Sequence, residues 1–275
     1  MVSSNVEAIA IGGFDGMHIG HQELFKELGK HGAIIAIETG YANMTIKEER
    51  EHYTHYPIFY FPLDEIRHLG GEEFVALLKN KFPKLRKIVV GYDFHFGKDR
   101  RYSHQDLKKL FGGEVCVVDQ VMIDGDSVHS HKIRAKIQIG DLSGANRFLG
   151  HNYTIRGSVV KGQGIGKTKL VPTINLECDG FLLPYEGVYA ALTRINDEEH
   201  FHPSVVFVGH RITTDGSYAV ESHILGETIA HCTQASVSFV KFLRKNQKFD
   251  SLESLKTAIE GDIAKARREL IHLSL

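Results

Sequence analysis

Five short β-rich runs separated by helix-like stretches fill roughly the first 125 residues, and this alternation narrows the possible folds more than any other feature of the chain. "VEAIAIGG", "AIIAIE", "PIFYFP", "KIVVGYDF" and "EVCVVD" have the apolar, β-branched content of buried strands, while "HQELFKELGKHG" and "GEEFVALLKNKF" repeat apolar residues at helical spacing. Alternation of this kind predicts a parallel, doubly wound sheet. The stretch 129–150, "HSHKIRAKIQIGDLSGANRFLG", reads as two helical pieces broken at Gly140 and Asp141, the last helix and linker of that domain.

After Asn152 the texture changes to "YTIRGSVVKG", "GVYAALTRI", "PSVVFVG", "SYAVESHIL" and "ASVSFVKFL", strands divided by Gly, Asp and Asn turns with no helix between them. That pattern predicts an antiparallel unit, a small barrel. Residues 251–270 close the chain as an amphipathic helix, with Ser251 or Ser254 as its N-cap. The expected class is α/β plus β, with a Rossmann-like domain over 1–150 and a β-barrel with a terminal helix over 151–275. A chain of 275 residues that is 42% hydrophobic can fill two such cores.

Charge excludes some partners. The 33 Lys and Arg nearly balance the 34 Asp and Glu, so no global field favours nucleic acid or an anionic membrane, and small-molecule partners are expected. Nothing in the pattern indicates an oligomeric state. Cys116, Cys178 and Cys232 are far apart and outside CxxC spacing, which suggests neither a disulfide framework nor a zinc site and fits a reducing cytoplasm. "MVSSNVEAIA" lacks the basic region of an export signal, and no apolar run approaches the 18 or so residues of a membrane span.

The first strand runs straight into "GGFDGMHIGH" (12–21), where glycines let a phosphate approach the backbone and the helix start offers amides and a favourable dipole. The spacing matches neither G-x-G-x-x-G nor a P-loop. His18 and His21, three apart on the first helical turn, would share one face. The blander interpretation is an N-capping Asp15 with two packed histidines; a zinc site would need a third local ligand that is missing. The stretch resembles the signature of the HxGH nucleotidyltransferases, in the form seen in bacterial FMN adenylyltransferases. The resemblance implies a nucleotide site in which Gly13, Phe14, Asp15 and Gly16 shape the pocket and His18 and His21 stabilise the triphosphate. "HSHKIR" (129–134) corresponds to that family's second half-site, which assigns Ser130 to the nucleotide and Arg134 to the phosphates, with His129 and His131 standing for hydroxyl residues. "GYDFHFG" (91–97) resembles the flavin-side segment and points to Asp93, Phe94 and Phe96. "IETGYANMT" stands where the family usually has Phe-x-Pro-His-Pro.

"KGQGIGKTKLVPTINL" (161–176) ends like a P-loop at Gly166 and Lys167, but only three residues separate Gly162 from Gly166, and Pro172 interrupts the helix that should follow. Small turns can still form an anion nest. The stretch resembles riboflavin kinase, in which a glycine-rich arch precedes Gly-x-Pro-Thr-Ala-Asn; Pro172, Thr173 and Asn175 match, while Lys167, Leu170 and Ile174 stand for the usual Arg, Gly and Ala. The resemblance assigns Gly162, Gly164, Gly166 and Lys167 to the nucleotide and Thr173 and Asn175 to Mg2+. Glu221 in "AVESHIL" falls on the family's catalytic glutamate. "FVKFLRKNQKFDSLESLKTAIEGDIAKAR" (239–267) matches the family terminus, with Arg244 on the flavin or nucleotide side or in a surface salt bridge.

Taken over the chain, the order of motifs resembles bacterial bifunctional riboflavin kinase/FMN adenylyltransferases of the FAD synthetase type. It implies that riboflavin, ATP and FMN are substrates, FMN and FAD products, and Mg2+ the ion. Two alternatives are a riboflavin kinase whose first domain is a degenerate nucleotide or flavin binder, and a flavin-binding regulatory protein without turnover.

Overall fold

Strand β1 (Ala8–Gly12) sends Ile9 and Ile11 into one buried cluster and Ala8 and Ala10 into another on its opposite face. A strand apolar on both faces must be central and covered twice. The computed structural model describes residues 5–160, 171–196, 198–213, 216–226 and 231–272. After β1 come α1 (Ile19–Lys26), β2 (Gly32–Glu38), β3 (Ile58–Pro62), α2 (Leu63–Ile66), α3 (Gly71–Lys81) and β4 (Lys87–Gly91). A short hairpin of β5 (His95–Phe96) and β6 (Tyr102–Ser103) leads to α4 (His104–Phe111) and β7 (Glu114–Val118), and a second pairs β8 (Met122–Ile123) with β9 (Asp126–Ser127).

The strands form a five-stranded parallel sheet in the order β3-β2-β1-β4-β7, as the alternation predicts. Phe74 and Leu78 of α3 and Leu107 and Phe111 of α4 cover the Ile9, Ile35 and Ile88 face. Leu24 and Phe25 of α1 cover the other, where Ala8, Ala10 and Ala36 supply small side chains. The chain moves outward from β1 to β3 and then crosses back to place β4 beside β1. The carboxyl ends of β1 and β4 are therefore the switch point of the sheet, where open α/β folds bind ligands.

Contacts divide the chain into compact units of residues 1–130 and 131–275. Helix α5 (Ser130–Gln138) ends before Gly140, whose φ of +82° turns the chain, and Asp141 caps α6 (Leu142–Leu149) by accepting from Gly144 N at 2.9 Å. The predicted break falls there. Asn146 of α6 accepts from Tyr153 N and donates to Phe239 O, both at 2.8 Å, which ties this helix to the barrel strands.

Six antiparallel strands close the barrel: β10 (Tyr153–Val160), β11 (Ile174–Glu177), β12 (Gly187–Ile195), β13 (His202–His210), β14 (Tyr218–Ile224) and β15 (Gln234–Lys245), in the order β10-β11-β14-β13-β12-β15. Closure leaves no open sheet edge. Buried Thr193 lies 2.8 Å from the hydroxyls of both Ser204 and Ser222, a polar group satisfied wholly within the unit. Helix α7 (Leu252–Leu270) packs Ala266 and Leu270 on Val188, Ala190 and Val205. Ser251 caps it, accepting from Ser254 N at 3.1 Å. Among the described residues no helix is long and apolar enough to cross a membrane. All three cysteines are free thiols.

Candidate active sites

The turn after β1 is built from strained positions held by long-range polar contacts. Phe14, Gly16 and Met17 have φ of 49°, 87° and 45°, so the chain winds through left-handed conformations before α1 begins. Asp15 is not the helix cap. Its Oδ1 accepts from Met44 N at 2.9 Å and Thr45 N at 3.0 Å, and His18 is the N-cap, its Nδ1 accepting from His21 N at 3.3 Å. The segment that departs from the family's usual string therefore still supports the turn, because it contributes backbone amides.

His18 and His21 share a face as their spacing predicts, with rings stacked 3.5 Å apart at 19°. Gly20 permits this: a Cβ there would meet the His18 ring at 3.2 Å. Because His18 Nδ1 accepts a hydrogen bond, the proton of its neutral ring belongs on Nε2. Burial, helped by His18 and Arg50, pushes the His21 pKa well below its ordinary 6.5, so this imidazole is neutral at pH 7. Its buried Nδ1 has no hydrogen-bond partner among the described residues.

Arg50 carries a role the sequence pattern does not reveal. Fully buried, it donates through Nη2 to Gly13 O and through Nε to Phe14 O, each at 3.3 Å, and through Nη1 to Lys47 O at 3.2 Å. Nη1 also pairs with Glu38 at 2.6 Å. One guanidinium thus joins the end of β2 to the carbonyls of the glycine turn. In "KEEREHY" it looks like one charge among many on a solvated helix, and only the tertiary contact sets it apart.

Of the second half-site, Ser130 reaches the turn: its hydroxyl donates to Asp15 O at 2.9 Å. Arg134 stands one turn further along α5, half-buried. His129 lies 2.8 Å from Gln120 Nε2 and 3.4 Å from the Tyr92 hydroxyl, beyond the carboxyl ends of β7 and β4. Asp93 is exposed just past β4, and Phe94 is half-buried and stacked on Phe96 at 5.7 Å. Phe96 itself belongs to the core with Phe74.

In the barrel unit, Asn175 on β11 and Glu221 on β14 are register partners and lie on one face. Arg211, just after β13, links them: Nε donates to Glu221 Oε1 at 2.5 Å, Nη2 to Asn175 Oδ1 at 2.6 Å and Nη1 to Ser217 Oγ at 2.7 Å. Sequence reasoning misses Arg211 because "GHRITTDGS" reads as an ordinary strand connection. Thr173 directly precedes β11, and beside it Pro172 O lies 2.8 Å from His223 Nδ1. The Asn175 amide oxygen and the neighbouring Thr173 hydroxyl are hard donors of the kind Mg2+ accepts, so the residues present fit that ion. Gly162, Gly164, Gly166 and Lys167 lie outside the described residues. Arg244 makes a two-oxygen ion pair with Asp262 of α7, with Nε to Oδ2 at 2.9 Å and Oδ1 at 3.0 Å, and anchors the terminal helix.

A switch-point turn with paired histidines in one unit, and a closed barrel with opposed Asn and Glu in the other, define a class of chain that couples an HxGH-type nucleotidyltransferase fold to a flavokinase-type barrel. Family profiles match both parts: riboflavin kinase over residues 149–270 and FAD synthetase over residues 2–40. A Pseudomonas fluorescens bifunctional riboflavin kinase/FMN adenylyltransferase is 30% identical over 94% of this chain and 91% of its own. The Listeria monocytogenes protein of the same description is 28% identical over 93% of this chain and 90% of its own. A crystal structure from Streptococcus pneumoniae, described as a macrolide-efflux protein, superimposes with a TM-score of 0.84 at 26% identity, covering 97% of this chain and 95% of that one. The chain belongs to the bifunctional riboflavin kinase/FMN adenylyltransferase family.

Proposed function

We propose that this chain phosphorylates riboflavin to FMN in its barrel unit and adenylylates FMN to FAD in its α/β unit, using ATP in both steps, with 1–150 and 151–275 as the division of labour. What supports the reading most is the facing of Asn175 and Glu221 across β11 and β14. Mere flavin binding needs neither a hard oxygen ligand nor a carboxylate beside it.

In the kinase step Glu221 accepts the proton of the riboflavin 5′-hydroxyl as its oxygen attacks the γ-phosphorus of ATP and ADP leaves. Thr173 and Asn175 would hold Mg2+, which when bound neutralises polyphosphate charge. Gly162, Gly164, Gly166 and Lys167 are proposed to receive the phosphates. In the second step a phosphate oxygen of FMN attacks the α-phosphorus of ATP, and pyrophosphate leaves. Little covalent chemistry is asked of the protein; its work is alignment and charge stabilisation. His18 and neutral His21 donate hydrogen bonds to the triphosphate, and Arg134 supplies positive charge. Ser130 and the 13–16 turn shape that pocket, and Asp93 and Phe94 face the flavin. Phe96 supports Phe94 from the core, and Arg244 acts by fixing α7. We place these reactions in a reducing cytoplasm, in keeping with the free thiols.

Separate assays of the two half-reactions test the assignment. Glu221→Gln is expected to slow FMN formation from riboflavin by about 100-fold or more, within the usual range for a lost general base, and to leave FAD formation from supplied FMN unchanged. His21→Ala should do the reverse. Wild-type rates of FMN formation in Glu221→Gln would remove Glu221 from the mechanism, and FMN formation without FAD formation in the native protein would favour the kinase-only alternative.

A further inference from the structure

The contacts of Arg211 have a consequence beyond holding a loop. A guanidinium presents Nε–H and one Nη–H as two parallel donors along one edge, a fork that usually takes both oxygens of a single carboxylate. Here the fork is split. Nε–H goes to Glu221 Oε1 and Nη2–H to Asn175 Oδ1, so the edge gathers two oxygens from different strands. The third nitrogen, Nη1, is tied to Ser217 Oγ at 2.7 Å, and the backbone of Arg211 donates to Ser217 O at 2.9 Å. Arg211 and Glu221 are each mostly buried, with 17% and 23% of the side chain exposed.

The same two oxygens are the ones the proposed kinase reaction needs, Asn175 Oδ1 for a divalent cation and Glu221 for the hydroxyl proton. Each bond places a positive N–H where a hard cation or a proton donor would otherwise sit. We propose that Arg211 is a positioning residue that serves as a resident cation. It keeps Glu221 and Asn175 in register before substrates arrive, and it competes with the divalent ion for Asn175 Oδ1. When the ion takes that oxygen, Nε–H still aims Glu221, while Nη2–H is released to a phosphate oxygen. This inference rests on the kinase reading of the barrel and adds to it a competition that the ion must win.

Two variants separate the competition from a merely structural role. Arg211→Gln removes the charge and the fork; Arg211→Lys keeps the charge and loses the fork. Mn2+ binding in the presence of ADP, followed by electron paramagnetic resonance, reads the competition without turnover. Arg211→Gln is expected to bind Mn2+ about five-fold more tightly, the scale of one lost hydrogen bond. Its kcat for FMN formation should fall about ten-fold or more with the riboflavin KM little changed, because Glu221 loses its aim. Arg211→Lys should restore the weaker Mn2+ binding but not kcat. FAD formation from supplied FMN, which uses none of these residues, should be untouched in both.

Unchanged Mn2+ affinity together with unchanged kcat in Arg211→Gln, in a protein whose wild type makes FMN, would overturn the proposal while leaving the kinase reading intact. A wild type that makes no FMN would instead sink that reading. Should both variants fail to fold, 15N-arginine spectra of the native protein serve the same purpose. Mg2+ with ADP is expected to shift an arginine Nη resonance while the slowly exchanging Nε–H persists, and a spectrum indifferent to the ion would overturn the competition.

Discussion

Replacing Arg50 by Met tests how the glycine turn after β1 is held, because the change keeps most of the buried volume and removes only the polar head. The guanidinium makes three charge-assisted hydrogen bonds at 3.2–3.3 Å, to Gly13 O, Phe14 O and Lys47 O, and one ion pair at 2.6 Å to Glu38. The hydrogen bonds are long, so each is worth no more than the lower end of the range for charged donors, about 1.5 kcal/mol. The larger effect is what remains. Glu38 Oε1 is buried and has no other polar contact among the described residues. Breaking a buried pair from one side typically costs about 3–5 kcal/mol, and with Glu38 28% exposed we expect the lower end, about 3 kcal/mol. For a unit of this size that lowers the midpoint of the first thermal transition by about 10–15 °C, read by calorimetry. Adding Glu38→Gln to Arg50→Met should recover part of the loss, since the orphaned charge is gone. FAD formation from FMN should fall with the single change and FMN formation from riboflavin should not. A loss below about 1 kcal/mol, or equal effects on both reactions, would refute the account of the turn.

Two further outcomes follow from buried charges. His21, its pKa held well below 6.5 by burial, His18 and Arg50, stays neutral in the folded protein under conditions in which the unfolded chain takes up a proton. The stability it contributes is present above pH 6.5 and is lost as the pH falls below it, by up to about 1.4 kcal/mol per pH unit. Urea midpoints at pH 7.5 and 5.5 should therefore converge for wild type and His21→Asn at the lower pH, and parallel shifts would contradict the neutral imidazole. Arg244→Leu leaves Asp262, only 4% exposed, without its partner, and should destabilise the barrel unit by about 3 kcal/mol. Arg244→Leu with Asp262→Leu should regain most of it in the same denaturation assay.

The sheet was legible because its strands are apolar on both faces, a pattern few other structures need, and the barrel because strands follow one another with only turn residues between them. The histidine pair could be read from spacing alone, since residues three apart on a helical turn must lie on one face. Glu221 and Asn175 were legible as motif residues, but their pairing across β11 and β14 depends on register, which local sequence does not encode. Arg50 and Arg211 were invisible for the same reason. Each sits in a polar connection that looks solvated, and each is held by oxygens 30 or more residues away or on a neighbouring strand. Asp15 shows the converse. Its type suggested a helix cap, yet the left-handed turn at Phe14 and Gly16 directs it toward the amides of Met44 and Thr45.

The central claim is that one chain carries two consecutive ATP-dependent steps on a flavin. The most direct test incubates the native protein with riboflavin, ATP and Mg2+ and separates riboflavin, FMN and FAD by chromatography over time, with ADP and pyrophosphate measured in the same samples. The account predicts FMN first, with one ADP per FMN formed, and then FAD, with one pyrophosphate per FAD. FMN that accumulates without FAD would contradict the assignment of the histidine turn, and riboflavin left unchanged would contradict the account as a whole.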